Sequence, residues 1–302
     1  MKPKVVHKKN KHSEDYNFET LATVHPKLES FVFTNANNKK TIDFANPKAV
    51  KTLNAALLHT HYDVSFWDFP DHFLCPPIPG RVDYIHHLSD LLQRSQLDKD
   101  ITIMDIGTGA NCIYPLLGTS SYDWNFIAVD SNDDAIKSAQ NIINKNNLQN
   151  KIKLKKQTDD THVLQDVLNE NDKVTITMCN PPFFKNEADA IKATTSKLKG
   201  LGKPTDQMVR NFAGQAHELW YKGGEKAFLH TYLYESSLQK TSSFWYTSLV
   251  SNKDNIKTMN QSLKKLGATS VMTIAMNIGN KKSRIVAWTF LNEEQKQNWN
   301  KK

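Results

Sequence analysis

The sequence is poor in glycine, proline and cysteine, and it has no long apolar run. Glycine and proline number 11 each among 302 residues, 22 in all or about 7%, against a usual ~12%, which excludes collagen-like and low-complexity chains. Cys75, Cys112 and Cys179 are too few and too scattered for a disulfide framework or a cysteine-based zinc cluster. No apolar stretch approaches the ~18 residues of a membrane span, and no secretory signal follows Met1. We therefore expect a soluble, cytoplasmic protein.

Basic residues outnumber acidic ones, with 39 Lys and Arg against 31 Asp and Glu and a formal net charge of +8. A basic balance of this size permits nucleic-acid binding without requiring it, so the placement of the lysines matters more. Residues 1–20 are rich in lysine and histidine and have almost no apolar periodicity. They are predicted to form a flexible basic tail, which either binds phosphate or is merely solvated. The lysines concerned are Lys2, Lys4, Lys8, Lys9 and Lys11.

The rest of the chain divides into two parts by its hydrophobic pattern. Residues 21–97 are predicted to form a small, mainly helical N-terminal module, with helices at residues 46–58 and 82–92. Residues 98–302 alternate strands with helices, which predicts a parallel, doubly wound α/β sheet. The last two strands have only a short connection and must pair as an antiparallel hairpin. The seven expected strands are residues 101–106, 126–129, 152–155, 174–179, 244–250, 271–276 and 284–291.

A glycine-containing loop follows the first strand of this domain, with the sequence Asp105-Ile-Gly107-Thr-Gly109. A dinucleotide fingerprint would need a further glycine where Cys112 stands, and a Walker loop would need Gly-Lys-Ser/Thr. The remaining match is the Asp-x-Gly-x-Gly loop of enzymes that use S-adenosylmethionine (SAM). Asp130 ends the next strand, where a carboxylate can accept hydrogen bonds from both ribose hydroxyls. The loop and Asp130 together predict a SAM site.

A second motif, Asn180-Pro181-Pro182-Phe183, ends the fourth strand at the carboxyl edge of the sheet, where open α/β sheets bind ligands. The Asn180 side-chain oxygen and the Pro181 carbonyl can accept both protons of a planar amine, which frees the nitrogen lone pair for attack. Phe183 can stack on a base. These four residues are the predicted catalytic residues. Enzymes that methylate cytosine or protein glutamine nitrogen carry the same motif, so it specifies a planar amine or amide nitrogen.

Over nearly its whole length the sequence resembles the ribosomal RNA large subunit methyltransferase F family, and it is similar to the catalytic domain of the eukaryotic methyltransferase-like protein 16. The resemblance implies a Rossmann-like class I SAM methyltransferase fold and N6-methylation of one adenosine in 23S ribosomal RNA. The stretches that carry it are Asn46-Pro47 and residues 79–86, 105–118, 179–184, 223–225 and 284–288.

The resemblance also implies that the N-terminal module binds RNA and closes over the cofactor, and that its Arg81 reaches the cofactor carboxylate. Asn111 stands where many SAM enzymes have a third glycine, and it is still expected to bond the cofactor. The full set of predicted cofactor contacts is Arg81, Asp105, Gly107, Gly109, Asn111, Asp130, Thr161 and Asn180.

Two further basic regions lie near the predicted active site. The long segment between Phe184 and Gly223 is either a phosphate-binding lid or a solvated insertion, and Lys281-Lys282 form either a second contact or ordinary edge protection. The predicted RNA-binding lysines outside the tail are Lys185, Lys197, Lys199, Lys203, Lys281 and Lys282.

The sequence as a whole predicts a SAM-dependent adenine-N6 methyltransferase of 23S ribosomal RNA, acting as a monomer on that RNA or on a large-subunit assembly intermediate. No metal is expected, since His86-His87 have no acidic or cysteine partners at ligand spacing. One alternative is an N-methyltransferase of protein glutamine or a small molecule, which would not need the basic tail. The other is a non-catalytic RNA-binding protein, against which the intact Asn180 and SAM loop argue.

Overall fold

The computed structural model describes residues 6–169, 172–190, 192, 219–278 and 281–299. The N-terminal module is mainly helical, and its two longest helices exceed the predicted bounds. The second of them, α3, begins at Ile78 after the extended N-cap residue Pro77. Pro79 suits the first turn because a proline there costs no helical hydrogen bond, and Arg81 lies in the same turn. The module contains α1 (Phe18–Val24), a 3-10 turn (Pro26–Phe31), β1 (Val32–Thr34), β2 (Lys40–Ile42), α2 (Pro47–Tyr62) and α3 (Ile78–Arg94).

The second part of the chain is a seven-stranded sheet covered by helices, as the alternating pattern predicts. Its strand order is β5-β4-β3-β6-β7-β9-β8, and every neighbouring pair is parallel except those of β9, which runs antiparallel to β7 and β8. The doubly wound sheet and the C-terminal hairpin are therefore confirmed. The elements are β3 (Thr102–Ile106), α4 (Ile113–Tyr122), β4 (Asn125–Asp130), α5 (Asp133–Lys145), β5 (Ile152–Lys156), β6 (Val174–Cys179), α6 (Gly224–Leu238), β7 (Ser243–Val250), α7 (Lys253–Leu266), β8 (Ser270–Ile278), β9 (Lys281–Thr289) and α8 (Glu293–Gln297).

Strand β3 lies at the point where the winding of the sheet reverses, because its neighbours are β4 on one side and β6 on the other. Ile106 at its end is in register with both Val129 and Cys179. The residues that follow these three positions therefore emerge together at one edge of the sheet. Ligands of open α/β folds bind in the crevice at such a switch point.

The N-terminal module packs on the sheet domain through a shared hydrophobic core. Tyr84 and Ile85 of α3 are fully buried in the same cluster as Leu116, Phe126 and Ile285 of the sheet domain. Burial of side chains of this size contributes roughly 1.5–3 kcal/mol each. Helix α3 is thus held firmly against the domain, and its first turn has a defined position beside the crevice.

Residues 7–12 are packed on α2 and α3, so this part of residues 1–20 is not the flexible tail that the sequence predicts. The Asp83 carboxylate accepts hydrogen bonds from the backbone of His7 at 2.8 Å and from the side chain of Asn10 at 2.7 Å. His12 is buried, with its Nε2 2.9 Å from the Tyr62 hydroxyl. Apolar periodicity did not detect this packing because the side chains that carry it are polar.

Candidate active site

The loop after β3 folds back on the end of β4 and leaves open space above it. Gly107 and Gly109 have φ angles of +75° and +67°, a left-handed conformation that only glycine adopts without strain. The backbone N–H groups of Gly107 and Thr108 both donate to the Val129 carbonyl at 2.9 Å. A methyl group built at Gly107 would meet no atom within 4 Å. A ligand therefore has room to approach the backbone here.

Asp130, at the end of β4, supports the same loop. Its carboxylate accepts hydrogen bonds from the backbone of Gly109 at 2.8 Å and of Asn132 at 3.0 Å. Burial raises the pKa of Asp130, and these backbone donors oppose the rise. The carboxylate lies beside the glycine loop, where the sequence predicts a group that accepts hydrogen bonds from the ribose hydroxyls.

Two oppositely charged groups near the loop have buried atoms that lack partners within the described part of the chain. Asp105 is completely buried, and neither of its carboxylate oxygens has a partner within full hydrogen-bond geometry there. Burial raises its pKa to about 7, and the nearby Thr108 hydroxyl and Arg81 guanidinium oppose that rise. Arg81 donates from one terminal nitrogen to the Tyr114 hydroxyl at 2.8 Å, and its guanidinium lies 5.5 Å from that ring, but its Nε has no partner. A buried charged group without a partner lowers the stability of the folded protein, unless a ligand of opposite charge binds to it. An amino acid, with one ammonium and one carboxylate, has the charges that would do so.

The Asn180–Phe183 motif leaves β6 directly after Cys179, next to the glycine loop. Asn180 is half-buried and Pro181 is buried. The backbone N–H groups of Phe183 and Phe184 donate to the Leu219 carbonyl at 3.0 and 2.9 Å, and Tyr221 donates back to the Phe184 carbonyl at 3.1 Å. The motif is thus held from its far side by residues 219–221.

A buried network of hydroxyl groups underlies the end of β6, and the sequence offered no signal for it. The Tyr84 hydroxyl lies 2.8 Å from Thr247 Oγ1, which in turn donates to the carbonyl of Thr177 in β6 at 2.9 Å. Thr177 Oγ1 lies 2.5 Å from the Tyr232 hydroxyl. The network ties α3 and α6 to the two strands beside Asn180.

The other two predicted cofactor contacts have partners within the protein. Asn111 is buried, its amide nitrogen donates to the Leu74 carbonyl at 3.2 Å, and its oxygen accepts from the backbone of Ile113 at 3.1 Å. Thr161 is exposed in the loop after β5, and its hydroxyl donates to Asp159 at 2.6 Å. The Tyr221 hydroxyl donates to the Thr161 carbonyl at 3.3 Å, which brings this loop to the catalytic motif. Direct contact of either side chain with a cofactor stays a prediction.

The predicted RNA-binding lysines are distributed over several places. Lys8, Lys9 and Lys11 are exposed on the packed N-terminal segment, and Lys185 is exposed directly after the catalytic motif. Lys281 and Lys282 begin β9, where they pair with Ile278 and Asn277 at the end of the β8–β9 ladder that is nearest the connection between the two strands. Lys2, Lys4, Lys197, Lys199 and Lys203, with most of the predicted lid, lie outside the described residues.

Neither a metal-binding cluster nor a membrane helix is found in the part of the chain that the structure describes. Over those residues, no three His, Cys, Asp or Glu side chains are grouped to hold an ion. His86 Nδ1 lies 2.8 Å from the Tyr122 hydroxyl, and burial lowers its pKa to about 4. Within the same ranges no helix has the length and hydropathy needed to cross a bilayer.

The chain is similar over nearly its whole length to known proteins. The profile of an RNA methyltransferase family matches residues 1–292. The chain is 44% identical to ribosomal RNA large subunit methyltransferase F of Flavobacterium johnsoniae, over 97% of this chain and 96% of that one. It is also 44% identical to the protein of that name from Colwellia psychrerythraea, over 94% and 99% of the two chains.

Solved structures of similar fold come from human METTL16. Its catalytic domain in complex with MAT2A 3'UTR hairpin 1 has a TM-score of 0.80 and 29% identity, over 95% of this chain and 96% of that one. Its N-terminal domain in complex with SAH has a TM-score of 0.76 and 27% identity, over 95% and 99% of the two chains.

Proposed function

The chain belongs to the RNA methyltransferase family that includes ribosomal RNA large subunit methyltransferase F, and we propose that it transfers the methyl group of SAM to N6 of one adenosine in 23S ribosomal RNA. The observation that carries this proposal is the position of Asn180–Phe183, which leaves β6 beside the glycine loop that follows β3. The motif whose oxygens would accept the two protons of a planar amine thus lies beside the loop that would bind the cofactor. We take the protein to act as a monomer on 23S RNA or on a large-subunit assembly intermediate.

The chain's own residues fit SAM as the methyl donor. SAM supplies a sulfonium-bound methyl group that is already a strong electrophile, so the protein needs no tuned general base. Arg81 suits the carboxylate of the methionine part and Asp105 its ammonium group, which would give partners to the unpaired buried atoms of both residues. Asp130 suits the ribose hydroxyls. The METTL16 domain solved with SAH, the demethylated form of SAM, supports SAM as the methyl donor.

Catalysis by the motif rests on hydrogen-bond acceptors that are fixed in place before the substrate arrives. The Asn180 oxygen and the Pro181 carbonyl accept the two protons of the N6 amine, which withdraws the nitrogen lone pair from the adenine ring. The hydrogen bonds to Leu219 hold the following residues, and the prolines restrict the backbone, so little reorganisation is needed. Phe183 stacks on the base, a contact worth about 1–3 kcal/mol.

Substitution of Asp130 tests the cofactor site. Asp130→Ala should weaken SAM binding by about 1.5–3 kcal/mol, because the ribose loses a charged acceptor and Gly109 loses its support. The measurement is calorimetric titration with SAM. Asp133→Ala is the matched control, since this exposed acid three residues on pairs with Lys156 at 2.7 Å. Unchanged affinity in a folded Asp130→Ala protein would remove this residue from the site.

The packed N-terminal segment supplies a test of RNA binding that keeps its buried Asn10 and His12. Glutamine at Lys9 and Lys11 removes surface contacts of these lysines, with Asp90 at 3.8 Å and with the His61 carbonyl at 3.1 Å. Deleting residues 1–12 would remove the buried Asn10 and His12, whereas Lys8, Lys9 and Lys11 can be changed together to glutamine at the surface. If these lysines neutralise phosphates, the slope of log affinity against log salt should fall in magnitude by about 0.7–0.9 for each phosphate that the variant leaves without a lysine.

A triple variant of α7 is the control for this experiment. Changing three exposed lysines of that helix to glutamine removes the same total charge. They are Lys257, Lys264 and Lys265. Binding to a 23S fragment is measured over a range of salt concentrations for both triple variants. Equal slopes in the two would show that the N-terminal lysines act only through net charge.

Methyl transfer to ribosomal RNA tests the proposed function directly. The purified protein and SAM are incubated with 23S RNA from cells that lack the protein, and N6-methyladenosine is mapped along the RNA. We expect one new methylated adenosine. Methylation of protein or small molecules alone would favour an N-methyltransferase of glutamine or of a small molecule. RNA binding without any transfer would favour a non-catalytic protein.

A further inference from the structure

We propose that the segment between α2 and α3 holds the cofactor loop in its binding conformation through a clasp made by Trp67, Asn111 and Leu74. We call this segment, residues 63–77, the connector. The proposal rests on the proposed function, because it assigns Asn111 a positioning role in SAM binding in place of the direct contact predicted from sequence.

Two hydrogen bonds join Asn111 to two distant points of the connector. The indole N–H of Trp67 donates to the Asn111 carbonyl at 2.8 Å, and the Asn111 amide donates to the Leu74 carbonyl at 3.2 Å. Trp67 and Asn111 are both buried, so neither bond competes with bulk water. Loss of either partner would leave a buried polar group unsatisfied.

Asn111 also shapes the turn between the glycines and helix α4. Its side-chain oxygen accepts from the backbone of Ile113 at 3.1 Å, the first residue of that helix. Cys112, between them, has a φ angle of +52°, a left-handed conformation that is unfavourable for a residue with a side chain. This conformation persists because the surrounding bonds impose it. The clasp therefore acts on the backbone that follows Gly109.

The connector is itself fixed at several points, so it can act as a rigid support. Asn54 of α2 donates to the Pro76 carbonyl at 3.0 Å, and the Lys51 ammonium donates to the Phe69 carbonyl. Asn146, just after α5, exchanges two bonds with the backbone of Phe66, at 2.7 and 3.1 Å. The position of the N-terminal module is thereby transmitted to the cofactor loop through Trp67 and Leu74.

Two single variants and their double variant separate positioning from direct contact. Trp67→Phe removes the indole donor but leaves the Asn111 side chain in place, and Asn111→Ser removes the side-chain amide that donates to the Leu74 carbonyl. We expect each to raise the Kd for SAM about tenfold. The double variant should resemble either single one, because both changes open the same clasp. The Kd for a 23S fragment should stay within about twofold in all of them.

Asn146→Ala is the matched control, because it removes a separate hydrogen-bonded attachment of the connector to the sheet domain without touching Asn111. It should lower the thermal stability and leave the Kd for SAM within about twofold. An equal loss of SAM affinity in Asn146→Ala and Trp67→Phe would overturn the proposal, because general loosening would then explain both. Unchanged affinity in Trp67→Phe with a loss in Asn111→Ser would also overturn it, in favour of direct contact.

Amide hydrogen exchange of the ligand-free protein supplies a readout that does not depend on SAM. Opening the clasp should speed exchange at residues 109–113 in Trp67→Phe and Asn111→Ser but not in Asn146→Ala. If the unaltered protein binds no SAM, the proposed function fails, and the exchange rates still decide whether the clasp exists. Equal exchange in all proteins would overturn the clasp whether or not SAM binds.

Discussion

Asn180→Ala should lower the single-turnover rate of methyl transfer by about 10²-fold or more at saturating RNA and SAM, with a much smaller effect on the affinity for either. The reason is that the Asn180 oxygen stabilises the reacting amine mainly as the nitrogen becomes tetrahedral, and much less in the ground state. Asn180 is half-buried next to the buried Pro181, so its side chain lies near the crevice before the substrate binds. The measurement is quenched-flow transfer of a labelled methyl group to a 23S fragment.

Two further variants make this result specific to the acceptor oxygen. Asn180→Asp keeps an acceptor at the same position and should retain more activity than alanine. Asn186→Ala removes an exposed asparagine whose oxygen accepts only locally, from the backbone of Asp189 at 2.8 Å, and should transfer at the unaltered rate. A wild-type rate in Asn180→Ala would exclude the proposed role of the motif.

Asp105→Asn should stabilise the ligand-free protein at pH 8 by up to about 4 kcal/mol while weakening SAM binding. Burial raises the pKa of Asp105 from 3.8 to about 7 in the folded protein. Between these values the folded state holds a proton that the unfolded state has lost. The free energy of unfolding of the unaltered protein therefore falls as pH rises from 4 to 7, and the loss is complete above pH 7. Asparagine does not titrate, so the variant escapes this loss.

Chemical denaturation at pH 5 and pH 8 without SAM measures the effect. The stability gain of Asp105→Asn over the unaltered protein should be less than half as large at pH 5 as at pH 8, because at pH 5 the unaltered protein has lost only the stability that falls between pH 3.8 and pH 5. Asp133→Asn, at an exposed position, should not show a stability gain at pH 8. An equal gain at both pH values would mean that Asp105 does not change its ionisation on folding. If Asp105→Asn is more stable but binds SAM more weakly, the Asp105 carboxylate contributes to ligand binding and lowers the stability of the ligand-free protein.

The two motifs could be placed from sequence because each follows a strand with a strong apolar signal. Val174–Cys179 is buried along its whole length, and its predicted bounds agree with the structure. Asn180 therefore had to emerge at a strand end. The short hairpin β1–β2 had no such signal, since Val32–Thr34 is largely exposed and only three residues long. A local hydrophobic pattern indicates where apolar side chains are buried, so it cannot detect an element that buries few of them.

By itself the sequence determined the α/β class, the antiparallel hairpin at the end of the sheet and the position of both motifs at strand ends, because strand periodicity and turn residues are local properties. Only the tertiary structure decided which polar groups meet. His7 pairs with Asp83 across 76 positions, and Trp67 with Asn111 across 44. It alone left the Asp105 oxygens without partners in the described ranges. The identity of a polar residue does not reveal its hydrogen-bond partner, because the bond depends on a distance and a direction that only the folded backbone sets.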